Sequence, residues 1–373
     1  MMDENKRKPK QHNTFAFASL DTWLHLLKEN GGVDKKYRAK MAGLLLLSFF
    51  TIPFKIYERR RYGHVISAAS IHPSPIFIIG HHRSGTTYLH NLISQDPELG
   101  FISTFQATVA GFSIIGQGWF KAKLAEGFSP KRAMDNVDAS LDAPQEEEIA
   151  VANLCPYSFM HHMSFPRKTM EYLDKYLLLE TLSDAELNRR KEIYLCVLKK
   201  TTYLAGGKRL VLKGPVNTGQ IKFLLSLFPD AKFIHIHRNP YTLFPSIFNL
   251  GRRLQDAHLL QEFDDASGVD NIFLIYKKMM KKFLAEKHLI PAGNFIEVSY
   301  DELDQHPLQT LTHIYQELNL PGFENKKAIF ENYIQFLGHY EKNKLVLEPQ
   351  YRKRINEEWG FAFDEWKYPR EVG

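Results

Sequence analysis

Ser74-Pro75-Ile76-Phe77-Ile78-Ile79-Gly80-His81-His82-Arg83-Ser84-Gly85-Thr86-Thr87-Tyr88-Leu89-His90-Asn91-Leu92-Ile93 is the stretch on which the fold of this chain turns. Ile76 to Ile79 is a short apolar, β-branched and aromatic run suited to a buried parallel strand. Gly80 and Gly85 then break the pattern, and Tyr88, Leu89, Leu92 and Ile93 recur at helical spacing. Strand, loop and helix in that order bring backbone N–H groups and the positive end of a helix dipole to one point, which suits a phosphate. Gly80, four residues and Gly85 match the start of the nucleoside-triphosphate loop, yet Thr86 stands where that loop carries lysine. A loop without the lysine is poorly equipped to move a γ-phosphoryl group. Here the charge sits earlier, on Arg83, and the hydroxyls of Ser84, Thr86 and Thr87 follow; such a set can grip a terminal phosphate without a metal. A tight β–α turn capped by Ser84 or Thr86 is the plainer account of the same residues.

The 373 residues suffice for one α/β domain with a helical elaboration, or for two domains. An apolar content of 44% with 24% charged residues belongs to a globular chain able to bury a core. The net charge of +6 suits anionic ligands or an anionic membrane surface. No zinc-finger or RNP-like motif accompanies it, so nucleic acid is not an expected partner. Cys155 and Cys196 alone make neither a disulfide framework nor a metal cluster, and the reducing cytoplasm is the simplest compartment. No metal is expected either: His81-His82 and His161-His162 are adjacent pairs, which cannot both face one ion on a regular helix or strand.

Residues 1–15 are expected to form a disordered basic tail, since no apolar h-region of a secretory signal follows the first residues. An N-terminal helical segment, residues 16–70, comes next, and residues 71–373 make the main domain. Its first helix carries Leu20, Trp23, Leu24, Leu26 and Leu27 and stops at Gly31-Gly32. Residues 41–54 are the most apolar stretch of the chain. As a helix they span only about 21 Å against a hydrocarbon core of about 30 Å, too little to cross a bilayer. Lys35, Lys36, Arg38 and Lys40 precede this stretch, and Lys55, Arg59, Arg60 and Arg61 follow it, the layout of a segment lying among anionic headgroups. A buried core helix with a basic exit accounts equally for an apolar run of this length. The localisation expected is cytoplasmic, peripheral at the inner face of the membrane if the segment lies in the interface.

Further along, residues 101–105 read as a short second strand, and residues 108–141 as a loop-and-short-helix region able to wall an acceptor pocket through Phe112, Trp119 and Phe120. Asp142-Ala143-Pro144-Gln145-Glu146-Glu147-Glu148 reads as a helix start capped at Asp142 or Ala143. Three consecutive acids complement a helix dipole but point in different directions, so at most one or two could share a site. Arg209-Leu210-Val211-Leu212-Lys213-Gly214-Pro215 and Ala231-Lys232-Phe233-Ile234-His235-Ile236-His237-Arg238 are further strands running into polar loops and helices. This β–α alternation predicts an open parallel sheet flanked by helices, with ligands beyond the carboxyl ends of its strands. Arg83, Lys213 and Arg238 all fall on that edge, which argues for a polyanionic ligand. Residues 294–300 form a fourth strand, residues 308–318 a late helix, and the tail from residue 339 is basic and aromatic (Tyr340, Lys342, Lys344, Tyr351, Arg352).

In these motifs the chain resembles the sulfotransferases that use 3′-phosphoadenosine 5′-phosphosulfate (PAPS). The likeness covers residues 74–360 and is closest to the bacterial branch, which is related to the tyrosylprotein sulfotransferases. It implies a P-loop-like α/β fold, here with an N-terminal helical extension, and PAPS as co-substrate without a metal. On the matching positions it implies that Arg83, Ser84, Gly85, Thr86 and Thr87 hold the 5′ phosphate and sulfate, and that Arg238 with Ser246 holds the 3′ phosphate. Lys213 would touch the migrating group, and Tyr300, in Ile296-Glu297-Val298-Ser299-Tyr300, would lie near the adenine. In the phenol and steroid branch a histidine follows two residues after the lysine; Pro215 occupies that position here. Ala143-Pro144-Gln145-Glu146-Glu147-Glu148 resembles the bacterial pattern, so the base expected is Glu146, then Glu148, ahead of His82 and His161. Sulfuryl transfer needs cations around the migrating group and a base for the acceptor proton, so Arg83, Lys213, Glu146 and Glu148 form the expected catalytic set. The acceptor expected is a small-molecule or lipid hydroxyl, in particular a lipophilic alcohol such as a sterol; a glycan or small-metabolite acceptor, or a P-loop phosphotransferase (kinase), is the alternative.

Overall fold

Ile76–Ile79 form β1, with all four side chains buried. The computed structural model describes residues 13–127, 140–338 and 345–371. β1 is the middle of a five-stranded sheet, order β2-β3-β1-β4-β5, in which β2 is Leu99–Gly100, β3 Arg209–Lys213, β4 Lys232–His237 and β5 Phe295–Ser299. Every pairing is parallel; the register sets Phe77 beside Leu212 on one side and Phe233 on the other. Strands covered on both faces need no alternation, which is why β1, β3 and β4 read as continuous apolar runs. β5 at the edge does alternate, burying Ile296 and Val298. From β1 the chain moves to one side of the sheet, then crosses to β4 on the other. That reversal opens a crevice at the carboxyl end of β1.

Two apolar cores sandwich the sheet. One joins Ile76, Ile78, Ile234 and Ile236 to Leu89, Leu92 and Ile93 of the helix Thr86–Ile93. The larger one joins Phe77, Leu212 and Phe233 to Trp23, Tyr194, Tyr276 and Trp359. Phe15 and Trp23 are fully buried in this larger core, so the N-terminal helices join the body of the molecule, and residues 13–15 of the stretch expected as a tail belong to it. Residues 1–12 and the basic stretch 339–344 lie outside the described residues.

Local hydrogen bonding moved two boundaries. The second strand is Leu99–Gly100, because Ser103 and Gln106 form a reciprocal capping box that turns residues 104–108 into a helix. Ala143 and Gln145 bond to Thr104 and Ile102 along an antiparallel bridge, so the acidic helix starts only at Glu147, with Glu146 at its N-cap. Phe112 and Phe120 pack with Phe105 and Leu141 in a satellite cluster and do not line a pocket.

The basic and apolar stretch near the N-terminus is a single helical run, Lys35–Ala68, long and apolar enough by length and composition to cross a membrane. The expectation from residues 41–54 alone was too short. The stretch presents two faces: Met41 and Leu44 are buried, as in a core helix, while Leu46, Phe49 and Phe50 are exposed. The run is bolted to the body by its polar residues. Ser48 Oγ donates to Ala18 O (2.8 Å), Lys55 Nζ to Phe17 O (3.1 Å), and Glu58 Oε2 accepts from the N–H groups of Ile114 (2.7 Å) and Ile115 (3.0 Å).

Candidate active site

Backbone geometry builds the first wall. After β1, Gly80, Arg83 and Gly85 take φ values of +142°, +72° and +105°. A side chain at Gly80 would strike the carbonyl of Ile236, and a Cβ at Gly85 would come within 2.5 Å of the Tyr300 ring. Gly80 N–H donates to Thr218 Oγ1 (2.8 Å), which ties the loop to the turn after β3. Ser84 is buried and its Oγ donates to His81 O (2.8 Å), so its hydroxyl shapes the loop from within. Neither Ser84 nor Thr86 caps the helix Thr86–Ile93. The N-cap is Gly85, with no side-chain capping bond, so the helix start is left to a ligand or to water.

Three strand ends bring the expected cations together. Arg83 Nε donates to Ser246 Oγ (3.0 Å); Arg238 donates through NH1 to Arg83 O (3.1 Å) and through Nε to Thr242 Oγ1 (3.1 Å). The Arg238 guanidinium lies 4.3 Å from the centroid of the Tyr300 ring. The residues expected at the two ends of one ligand therefore meet: Arg83 reaches across to Ser246. Ser246 follows Pro245 in the helix Pro240–His258, one turn beyond Thr242. Thr242 was not singled out in the sequence, although its position four residues after Arg238 on a helix was a readable signal.

The three acids part company. Glu146, at the N-cap, accepts from Lys213 Nζ at 2.5 Å, with Lys213 only 3% exposed. Glu147 is fully buried; its Oε1 accepts from Asn217 Nδ2 (2.5 Å) and Tyr194 OH (3.2 Å), and its Oε2 has no partner. Burial pushes its carboxyl up to about 7. Glu148, expected as a second base, is a structural residue: both oxygens are taken by Arg190 (3.1 and 2.8 Å), and Ser158 adds a bond at 2.5 Å. Arg190 is itself fully buried and also bonds Tyr157 O and Gln220. Glu147 and Glu148 thus fasten the acidic helix to the turn after β3 and to the helix Asp184–Leu204.

The candidate histidines also separate. His82 lies in the cleft beside Glu146, Lys213 and Arg83, and burial holds its imidazole below its ordinary range. His161 is fully buried against Cys155 O and Phe15, away from the cleft, and burial takes it down to about 4.

Of these residues His82, Arg83, Thr86, Thr87, Glu146, Lys213, Arg238 and Tyr300 face one cleft of about 1880 Å³. Arg83, Thr86, Thr87, Lys213, Arg238 and Tyr300 line it at the strand ends; Phe159, Met163, Phe248, Phe263, Ile272 and Ile275 line it from the helical elements and their connections around the sheet. Glu146, Lys213 and His82 stand on the same wall as the basic end. Chemically, the basic end fits a polyanion and the apolar end a greasy body. A carboxylate and an ammonium held together can serve proton transfer and charge stabilisation. Among the described residues no group of three or more His, Cys, Asp or Glu could hold a metal ion.

Comparison with known proteins bears on this geometry. A sequence profile described as the sulfotransferase family matches residues 75–325. The omega-hydroxy-beta-dihydromenaquinone-9 sulfotransferase Stf3 of Mycobacterium bovis is 30% identical over 358 residues, 95% of this chain and 91% of that protein. Among solved structures, sulfotransferase STF1 from Mycobacterium tuberculosis H37Rv gives a TM-score of 0.66 at 17% identity, covering 94% of this chain and 93% of that one. STF9 from Mycobacterium avium gives 0.66 at 16% identity, over 99% of both chains.

Proposed function

This chain belongs to the sulfotransferase family and acts as a sulfotransferase, and from that premise we propose that it moves the sulfuryl group of PAPS to the hydroxyl of a lipophilic alcohol. One observation carries the reading: a single cleft joins a basic rim at the strand ends to an apolar part lined by helical elements and their connections. The relative that is 30% identical is named for a menaquinone lipid, which agrees with a greasy acceptor.

The rim fits a bisphosphorylated donor. Positive-φ glycines let the backbone come close, the helix start offers N–H groups, and Arg83, Arg238 and Ser246 offer a cationic and hydroxylic grip. When bound, PAPS supplies an activated sulfuryl group on a phosphate leaving group. Arg238 and Ser246 would hold the 3′ phosphate, which distinguishes this donor from ATP, and Arg83, Thr86, Thr87 and the loop N–H groups would hold the 5′ phosphate and sulfate, with Arg83 also bonded to Ser246. Lys213, paired with Glu146 in this structure, would neutralise the charge left on the phosphate leaving group. Glu146 would take the proton of the acceptor hydroxyl. His82 lines the same cleft, and its charge would interact with both partners. The free thiols of Cys155 and Cys196 agree with a reducing, cytoplasmic setting.

The test is incubation with PAPS carrying labelled sulfate and a panel of hydroxylated acceptors: polyprenoid and sterol alcohols, sugars and small phenols. Label on the greasy alcohols is the expected result. Label confined to sugars or phenols would overturn the acceptor, and phosphoryl transfer from Mg-ATP with indifference to PAPS would overturn the donor.

A further inference from the structure

The run Lys35–Ala68 turns polar side chains inward in its middle and apolar ones outward. Ser48, Thr51, Lys55 and Glu58, spaced by three and four residues, sit on the inward face, and Ser48, Lys55 and Glu58 are hydrogen-bonded to the body. Leu46, Phe49, Phe50, Phe54 and Tyr57 share the same spacing on the opposite side and face solvent; Phe50 is 66% exposed. Phe54 packs on buried Phe112, which joins it through Phe120 to Trp119, itself 74% exposed. Isolated exposed apolar residues are ordinary, but several exposed aromatic side chains along one helix face mark an interaction surface.

Charge identifies the occupant. Exposed Arg38 stands at one end of the strip and exposed Arg60 and Arg61 at the other. Arg38 and Arg60 have no ion-pair partner among the described residues. A second copy of the chain docked about a two-fold axis would set these arginines against arginines, whether the helices ran parallel or antiparallel. A bilayer of anionic lipid satisfies both the aromatic strip and its basic ends.

The cleft opens toward the same region. Its apolar end shares Pro166, Thr169, Leu259 and Phe263 with an adjoining cavity of about 970 Å³ that reaches Lys36 and Tyr37 at the start of the run. We infer that the face formed by Leu46, Phe49, Phe50, Phe54, Tyr57 and Trp119 docks the protein flat on an anionic lipid bilayer, with the acceptor end of the cleft opening beside the membrane. The route for the acceptor rests on the lipophilic-alcohol reading; the docking does not.

Flotation of the full chain with acceptor-free vesicles tests the docking by itself. The chain is expected to float with vesicles of phosphatidylglycerol and phosphatidylcholine, far less with phosphatidylcholine alone, and less as salt rises. A Phe49→Glu/Phe50→Glu variant, altered only on the solvent side, should keep its thermal midpoint and lose partitioning by roughly a hundredfold. An Arg60→Ala/Arg61→Ala variant should lose roughly tenfold and most of its salt dependence. Failure of the wild type to float overturns the docking. So does a concentration-dependent dimer that Phe49→Glu/Phe50→Glu abolishes, which would make the face a subunit interface. A chain that floats but sulfates none of the greasy alcohols keeps the docking and loses the proposed acceptor.

Discussion

The two ends of the cleft are built in different ways. The basic end is made by short segments that each leave a strand: a loop of six residues after β1, Lys213 at the last position of β3, and Arg238 just past β4. Sheet register alone brings these together. The apolar end draws Phe159 and Met163 from one helical turn, Phe248 from a second helix, and Ile272 and Ile275 from a third, and no strand fixes their positions. Chemistry that needs fixed charges sits where the backbone is over-determined. Recognition of a greasy body sits where helices can repack.

Substitutions at the two ends should therefore fail in different ways. The largest effect is expected from Lys213→Ala and Glu146→Gln. Each should lower kcat by about a hundredfold to ten-thousandfold, a loss well beyond what the drop of about a few degrees in melting midpoint from opening this largely buried pair can explain. Steady-state kinetics with labelled PAPS measures this, and full activity in both would remove the pair from the mechanism. Glu148→Ala comes next and should damage stability, not chemistry. It leaves Arg190 buried and unpaired, at a cost of about 3–5 kcal/mol, read by urea unfolding. At the apolar end, Phe248→Ala should raise KM for a lipophilic acceptor about tenfold while the affinity for adenosine 3′,5′-bisphosphate stays unchanged, as calorimetry would show. An equal loss for donor and acceptor would erase the distinction between the ends.

The smallest effect concerns Glu147. Its folded carboxyl is raised to about 7 from an ordinary 4.5, so the unfolded chain gives up this proton first as pH rises. Its contribution to stability is whole below about pH 4.5 and falls as pH climbs to about 7. Glu147→Gln keeps the acceptor oxygen for Asn217 and Tyr194 but cannot ionise. The melting midpoint of the wild type relative to the variant should therefore fall by a few degrees between pH 5 and pH 8. A difference independent of pH would show the carboxyl ionised throughout.

How much could be read in advance follows the same division. Gly80 to Thr87, Lys213 and Arg238 were legible because each lies within a few residues of an apolar strand, and strand periodicity is a local signal. The parallel sheet, and the edge on which the cations meet, followed from that. The fate of the acids was not legible. Glu148 is structural only because Arg190, forty-two positions later, is buried beside it, and a single sequence carries no mark of such a pairing. The two-faced character of Lys35–Ala68 was hidden for a similar reason. Hydropathy counted Leu44 and Leu46 alike, and only contact with Ala18, Phe17 and Ile114 shows which face turns inward.

The ion pair between Lys213 and Glu146 has a consequence for how an anion finds the cleft. Paired charges cancel at a distance, so the lysine contributes little to the long-range field while it holds the carboxylate. Arg238 touches a carbonyl, a hydroxyl and a phenol ring, and the carboxylates of Asp301 and Asp304 act on it without an ion pair of the kind that holds Lys213. Long-range attraction thus falls to the arginine, and contact chemistry to the lysine. The ionic-strength dependence of donor association should flatten when Arg238 is replaced and persist when Lys213 is replaced, which separates steering from catalysis within one rim of charge.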